Sequence, residues 1–136
     1  MAEFLSEDLF GFVRSDPGIT ALVGQRIYPV VRPQLGNEQR ATALTYRLAS
    51  RRGNLLTGKE KDGRTESLYQ FVGWAKEYLT AKQIVKAVYD ALESQYRPFG
   101  NVGLIALDDE VDDYSPETNE FFITLDLRVI EIRKRH

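Results

Sequence analysis

The chain contains no cysteine, and its single histidine, His136, is the last residue. The first absence excludes disulfide frameworks, thiolate zinc sites and cysteine nucleophiles together, and fits folding in a reducing cytoplasm. The second excludes a triad that needs a histidine base held between a nucleophile and a carboxylate. Long apolar runs are also missing. No stretch approaches the ~20 residues of a membrane span, and the opening "MAEFLSEDLF" is acidic and amphipathic, unlike a signal peptide. Gly53, Gly58, Gly63 and Gly73 never fall into G-x-x-x-x-G-K-[ST] or G-x-G-x-x-G, so no phosphate cradle and no cofactor is indicated. Neither sign of charge dominates: 18 Lys and Arg face 20 Asp and Glu, for a net charge of −2. The chain therefore lacks the basic field that drives sequence-independent binding to DNA.

What is present describes one folded domain. The 136 residues are 43% hydrophobic, with seven Phe and seven Tyr, enough for a core without staples. Phe4, Leu5, Leu9, Phe12 and Val13 recur at helical spacing and predict a short half-buried helix, stopped by "SDPG" at Ser15 to Gly18. "ITALVG" predicts a further helical turn closed at Gly24. Pro29 and Pro33 push Tyr28 and Arg32 into extended geometry, so "RIYPVVRPQ" reads as an edge strand or a surface-running segment. In "ATALTYRLAS" the residues Leu44, Tyr46 and Leu48 alternate with Thr45 and Arg47, the period of a half-buried strand, and "SLYQFVGWA" predicts its partner. Between them, residues 51–64 ("RRGNLLTGKEKDGR") read as a long flexible hairpin loop.

Thr80 with Gln83 has capping-box spacing and predicts the start of a second main helix, with Ile84, Val88, Ala91 and Leu92 as its buried stripe and Pro98 and Gly100 barring continuation. "NVGLIAL" predicts a strand, "DDEVDDYSPETN" an acidic connection, and "FFITLDLRVIEI" the longest strand, with Phe121, Ile123, Leu125, Leu127 and Val129 opposite Phe122, Thr124, Asp126 and Arg128. The expected fold class is α+β, a mostly antiparallel sheet of four to five strands with two main helices packed on one face.

Candidate chemistry is sparse. Asp108, Asp109, Glu110, Asp112 and Asp113 have the oxygen ligands that suit magnesium or calcium, but lack the glycine and terminal glutamate order of an EF-hand. A metal-dependent hydrolase built there also needs a basic residue to activate water, and the nearest lysine before it in sequence is Lys86. A solvated acidic loop is the favoured reading. Trp74, with Tyr69 and Phe71, has the chemistry of a base-stacking platform, yet strand aromatics of this kind are mostly core. "IRKRH" reads as a solvated basic end. In the 51–64 loop, Asn54, Leu55 and Leu56 place apolar side chains among charges, which suits ordering against a partner.

"GQRIYPVVRPQ", a strand containing Tyr46, a strand ending "WA", "TAKQIVKAVYDAL" and "DDYSPETNEFFITLDLRV" follow one another in an order that resembles the tail terminators, the tail-completion family of long-tailed bacteriophages. The resemblance runs from Leu22 to Val129. It includes an Asp-x-Tyr-x-x-Glu-Thr run matched by Asp112, Tyr114, Glu117 and Thr118. Two features depart from the family pattern: Ala43 stands where a proline is common, and the loop after that strand is longer. The resemblance implies a structural, non-enzymatic virion protein. It implies a ring, usually hexameric, that sits at the head-proximal end of the tail tube, stops its growth and joins the head connector, after assembly in the host cytoplasm. Partners are then further copies of the chain, the tube protein and the connector or stopper, with DNA passing through the lumen and no membrane involved. Arg26, Tyr28, Arg32, Asn54, Leu55, Leu56, Tyr114 and Glu117 become candidate interface residues, and Asp108, Asp109, Asp112 and Asp113 candidate lumen lining. The alternatives are another neck component, such as a head-tail joining or stopper protein, or a small hydrolase using the acidic cluster.

Overall fold

A computed structural model describes residues 5–30, 42–54, 62–94 and 102–134. The first element, α1 (Leu5–Ser15), buries Leu9 and Val13 on the expected stripe. The "SDPG" punctuation both ends it and starts the next helix. The Ser15 hydroxyl donates back to the Gly11 carbonyl at 2.7 Å. Asp16 then caps α2 (Pro17–Val23) by accepting from the Ile19 amide at 3.1 Å, with Pro17 in the first turn, where its missing N–H costs nothing. Gly24, at a φ of 62°, closes α2 with its N–H on the Thr20 carbonyl, 2.7 Å. A side chain there would be strained.

Five strands follow. They are β1 (Ile27–Pro29), β2 (Ala43–Asn54), β3 (Asp62–Ala75), β4 (Val102–Ser115) and β5 (Glu120–Lys134), with α3 (Tyr78–Ser94) between β3 and β4. They form one sheet in the order β1-β2-β3-β5-β4. Only β1 against β2 is parallel; the other three pairs are antiparallel. The α+β expectation is met, with α2 as a third helix.

The helices cover one face. Register places Leu44, Gly73, Ile123 in one row and Tyr46, Phe71, Leu125 in the next, all buried beneath the helices. Gly73 is where α3 comes closest: a Cβ built on it would lie 3.0 Å from the Ala81 carbonyl oxygen and 3.0 Å from the Ile84 Cβ. Phe10 from α1 sits over Tyr46 and edge-on to Tyr69. The β5 alternation falls as expected, with Ile123, Leu125, Leu127 and Val129 buried.

Four expectations change. The acidic segment from Asp108 to Tyr114 is a strand paired along β5, because ladder hydrogen bonds hold it whatever its side chains are; only Pro116 to Asn119 turn. The expected 51–64 loop contributes its ends to the ladder, Asn54 opposite Arg64 and Arg51 opposite Ser67, while residues 55–61, with Leu55 and Leu56, lie outside the described ones. Helix α3 starts before Thr80, with the Ala81 N–H on the Glu77 carbonyl at 3.2 Å, so Thr80 sits inside the helix and does not cap it. Leu48 keeps the register of Leu44 and Tyr46, opposite Tyr69, but is exposed, at the last position before the β2–β3 register shifts.

Candidate functional site

Strand alternation divides the acidic run into two faces. Glu110, Asp112 and Tyr114 register with Leu125, Ile123 and Phe121, and so point to the helix side. There Lys82 of α3 reaches both carboxylates, pairing with Glu110 and lying 2.8 Å from an Asp112 oxygen. The Tyr78 hydroxyl donates to the other Asp112 oxygen at 2.6 Å. Hydrogen bonds from Lys82, then Tyr78, hold the Asp112 carboxyl below its ordinary pKa. Asp112 and Glu110 hold the Lys82 ammonium above its own, and the bond to Asp112 raises the Tyr78 phenol. The cluster ties the outer strand to α3. The Lys86 that sequence proximity offers instead pairs with Asp90 on its own helix, 2.7 Å.

Asp109, Val111 and Asp113 register with Asp126, Thr124 and Phe122 and so point to the opposite face, which no helix covers among the described residues. Asp108 joins that face at the β4 irregularity: the Arg128 guanidinium bridges it, at 2.7 Å, to Glu66. Alongside runs a second polar chain, with the Arg47 Nε donating to Gln70 at 2.9 Å and the Gln70 amide donating to Asp126 at 3.2 Å. Bidentate and bridging contacts of this kind hold direction better than they add stability, since exposed ion pairs are worth ~0–1 kcal/mol. The bare face also holds Trp74. Its indole N–H donates to the Thr45 hydroxyl at 3.1 Å, and its ring stacks on Phe122 with centroids 4.9 Å apart. Tyr69 and Phe71 are core, as expected, but Trp74 is half-buried on the other side of the sheet. Among the described residues, no three or more His, Asp or Glu side chains form a group able to hold a metal ion. No helix among them is long and apolar enough to cross a membrane.

The candidate interface residues separate to two places. Arg26 and Tyr28 sit at the β1 edge, where the Arg26 Nε donates to the Thr42 carbonyl at 2.6 Å and the Leu44 N–H donates to the Arg26 carbonyl at 3.0 Å. "RIYP" thus stitches the parallel pair together through its arginine and its main chain. Arg32 lies outside the described residues, and Asn54 ends β2. Tyr114 and Glu117 belong to the β4–β5 hairpin at the opposite edge. The Tyr114 ring leans on Phe121, centroids 4.8 Å apart, and its hydroxyl lies 3.2 Å from Asn119 Oδ1. Asn119 supplies the positive φ, 56°, that the turn needs. Of the expected lumen set, Asp108, Asp109 and Asp113 share the bare face, and alternation puts Asp112 on the other. The residues that sequence reading missed are Lys82 and Tyr78, joined to the acidic strand across 28 and 34 positions, and Arg128 with Glu66.

Among solved structures, the fold resembles a chain of the "Virion of native gene transfer agent (GTA) particle" at a TM-score of 0.68 and 17% identity, covering 91% of each chain. At that identity the likeness shows a shared fold. No curated protein matches the chain. A family model described as "Tail completion protein gp17" matches residues 7–131, nearly the whole length, and the chain belongs to that family: it is a structural protein of the phage tail, carried in the virion.

Proposed function

We propose that the chain forms a hexameric ring at the head-proximal end of the tail tube, where it ends tube growth and joins the tail to the head connector, without an enzymatic step. The observation that carries this reading is the bare sheet face. One face is sealed by three helices, and the other presents Glu66, Asp108, Asp109, Asp113 and Asp126 against Arg47, Arg52 and Arg128. Carboxylates outnumber guanidinium groups, and Arg128 is already held by two of the carboxylates. A surface of that balance, turned toward the axis, lets DNA pass without the counterion release that would trap phosphates. The helices then face outward, and the ends of the sheet meet the tube on one side and the connector on the other.

Native mass spectrometry of the purified protein, alone and with tail tubes, tests the ring; the expected mass is about six times the 15.5 kDa chain. Electron microscopy of particles assembled without the protein should show tails of uncontrolled length or unjoined heads. Regular tails joined to heads in its absence would overturn the assignment.

A further inference from the structure

The sheet ends in two unlike open edges. β4 pairs with β5 on one side, and no described strand lies on its other side. At the far end, β1 pairs with β2 only from Leu44 to Tyr46, so the outer edge of β2 from Arg47 onward is open among the described residues. An unpaired strand edge is a template for another strand, and folded proteins normally cover or blunt it. Here the two edges match each other. The β4 edge carries Asp109 and Asp113, whose carboxylates accept only from the next residue's N–H, at 2.9 and 2.8 Å, and meet no cation among the described residues. The β2 edge carries Arg47 and Arg52, which form no ion pair among the described residues, and no carboxylate stands between them in sequence. Apart from Tyr78 and Leu79 at the start of α3, the exposed large apolar side chains among the described residues lie at the same two places: Leu107, Val111 and Tyr114 on β4 are 49, 47 and 43% exposed, and Val30 and Leu48 beside the β2 edge are 62 and 38% exposed.

We propose that the outer edge of β4 in one copy of this chain adds to the Arg47–Arg52 edge of β2 in the next copy, continuing the sheet from subunit to subunit. This contact rests on the ring reading and specifies how the ring is joined. Direction supports it. β2 is antiparallel to β3, β3 to β5 and β5 to β4, so β4 runs opposite to β2. A copy that continues the sheet therefore brings its β2 antiparallel to β4, with the acidic run beside the arginines and apolar side chains on both strands. The contact is heterologous, with different surfaces on the two sides, as a closed ring requires. β2 carries an irregularity between Leu48 and Ser50, and β4 carries two, between Val102 and Leu104 and between Leu107 and Asp109, which limit the added ladder to a short run and restrict its register.

Because the chain has no cysteine, introduced thiols report alone. Asp109→Cys protein mixed with Arg52→Cys protein should give a cross-linked pair with a short bismaleimide, while either variant by itself gives none. Arg47→Glu with Arg52→Glu should raise the concentration needed for assembly by about tenfold or more, the scale set by losing two charge contacts and gaining two repulsions. Combining it with Asp109→Lys and Asp113→Lys in the same chain should restore assembly. A ring of wild-type mass in the charge-reversed variant, with no cross-link in the mixture, overturns this contact and leaves the ring standing. A wild-type chain that stays monomeric both alone and on tail tubes overturns the ring and the contact together. Far-UV circular dichroism separates a lost contact from a lost fold, and if the charge variants unfold, the single-cysteine pair decides.

Discussion

Replacing Gly73 by Ala tests how tightly α3 is seated on the sheet. The new methyl would meet the Ala81 carbonyl oxygen and the Ile84 Cβ at 3.0 Å and the Ile84 Cγ2 at 3.1 Å. All are closer than ordinary carbon contacts, and a helix carbonyl is not a flexible group. Overpacking a close-packed interior costs ~1–3 kcal/mol, while removing a glycine from a strand returns up to about 1 kcal/mol of unfolded-chain entropy. The net expectation is destabilisation by about 1–2 kcal/mol. For a domain of this size, each kcal/mol moves the melting temperature by roughly 3–5 °C, so the midpoint should fall by about 3–10 °C. A urea titration should show a lower midpoint at unchanged slope. Gly53 is the control: nothing lies within 4 Å of a Cβ built there, so Gly53→Ala should be neutral or stabilising. In an Ile84→Ala background the cost of Gly73→Ala should shrink only in part, because the Cγ2 contact is gone while the Cβ and the Ala81 carbonyl stay. A Gly73→Ala protein as stable as wild type would refute the close seating of α3.

The Lys82 cluster makes stability depend on pH at both extremes. The depressed Asp112 contributes stability that is complete above the ordinary carboxylate value near ~3.9 and lost as pH falls through its lower folded value. The raised Lys82 contributes stability that is complete below about 10.4 and lost as pH rises through its higher folded value. Lys82→Met should flatten both limbs in urea midpoints measured across pH, at a neutral-pH cost below about 1 kcal/mol because the pair is near the surface; an unchanged profile would count against the cluster. Trp74, the chain's one tryptophan, reports on the bare face: with that face turned to a water-filled lumen, acrylamide should quench its emission equally in free and ring-assembled protein. Protection on assembly would instead place the face between subunits.

Much of the fold is legible because burial imposes a period. Ile123, Leu125, Leu127 and Val129 must all lie under the helices, so β5 is written as a strict alternation, and Ile84, Val88 and Leu92 mark α3 for the same reason. Where burial is lifted, the signal goes with it. No described strand lies outside β4, so Asp109 to Asp113 need not alternate in polarity and read as a loop; the main-chain ladder to β5, invisible in composition, is what makes them a strand. Thr80 and Gln83 match a capping box by spacing alone, but that helix already begins at Tyr78, and its first turn is closed by the Ala81 N–H on the Glu77 carbonyl. The Lys82 and Tyr78 contacts to Asp112 depend on which helix face crosses which strand, and no local pattern encodes that.

The same alternation sorts the residues that carry the family resemblance. Asp112 is held by Lys82 and Tyr78, Tyr114 leans on Phe121, and Arg26 ties β1 to β2 through Thr42. Each of these makes a contact within the subunit. Their neighbours on β4, Asp109, Val111 and Asp113, point to the uncovered face and find neither a cation nor a covering element there among the described residues. Charged side chains and bulges blunt an open strand edge, and Asp109 and Asp113 do so in the single subunit; in the proposed contact Arg47 and Arg52 of the next copy supply the cations that these carboxylates lack. Position along β4 therefore sorts one strand into two faces: Glu110 and Asp112 are held by Lys82 of α3 and Tyr114 leans on Phe121, while the carboxylates of Asp109 and Asp113 are the ones that the proposed contact with a second copy would use.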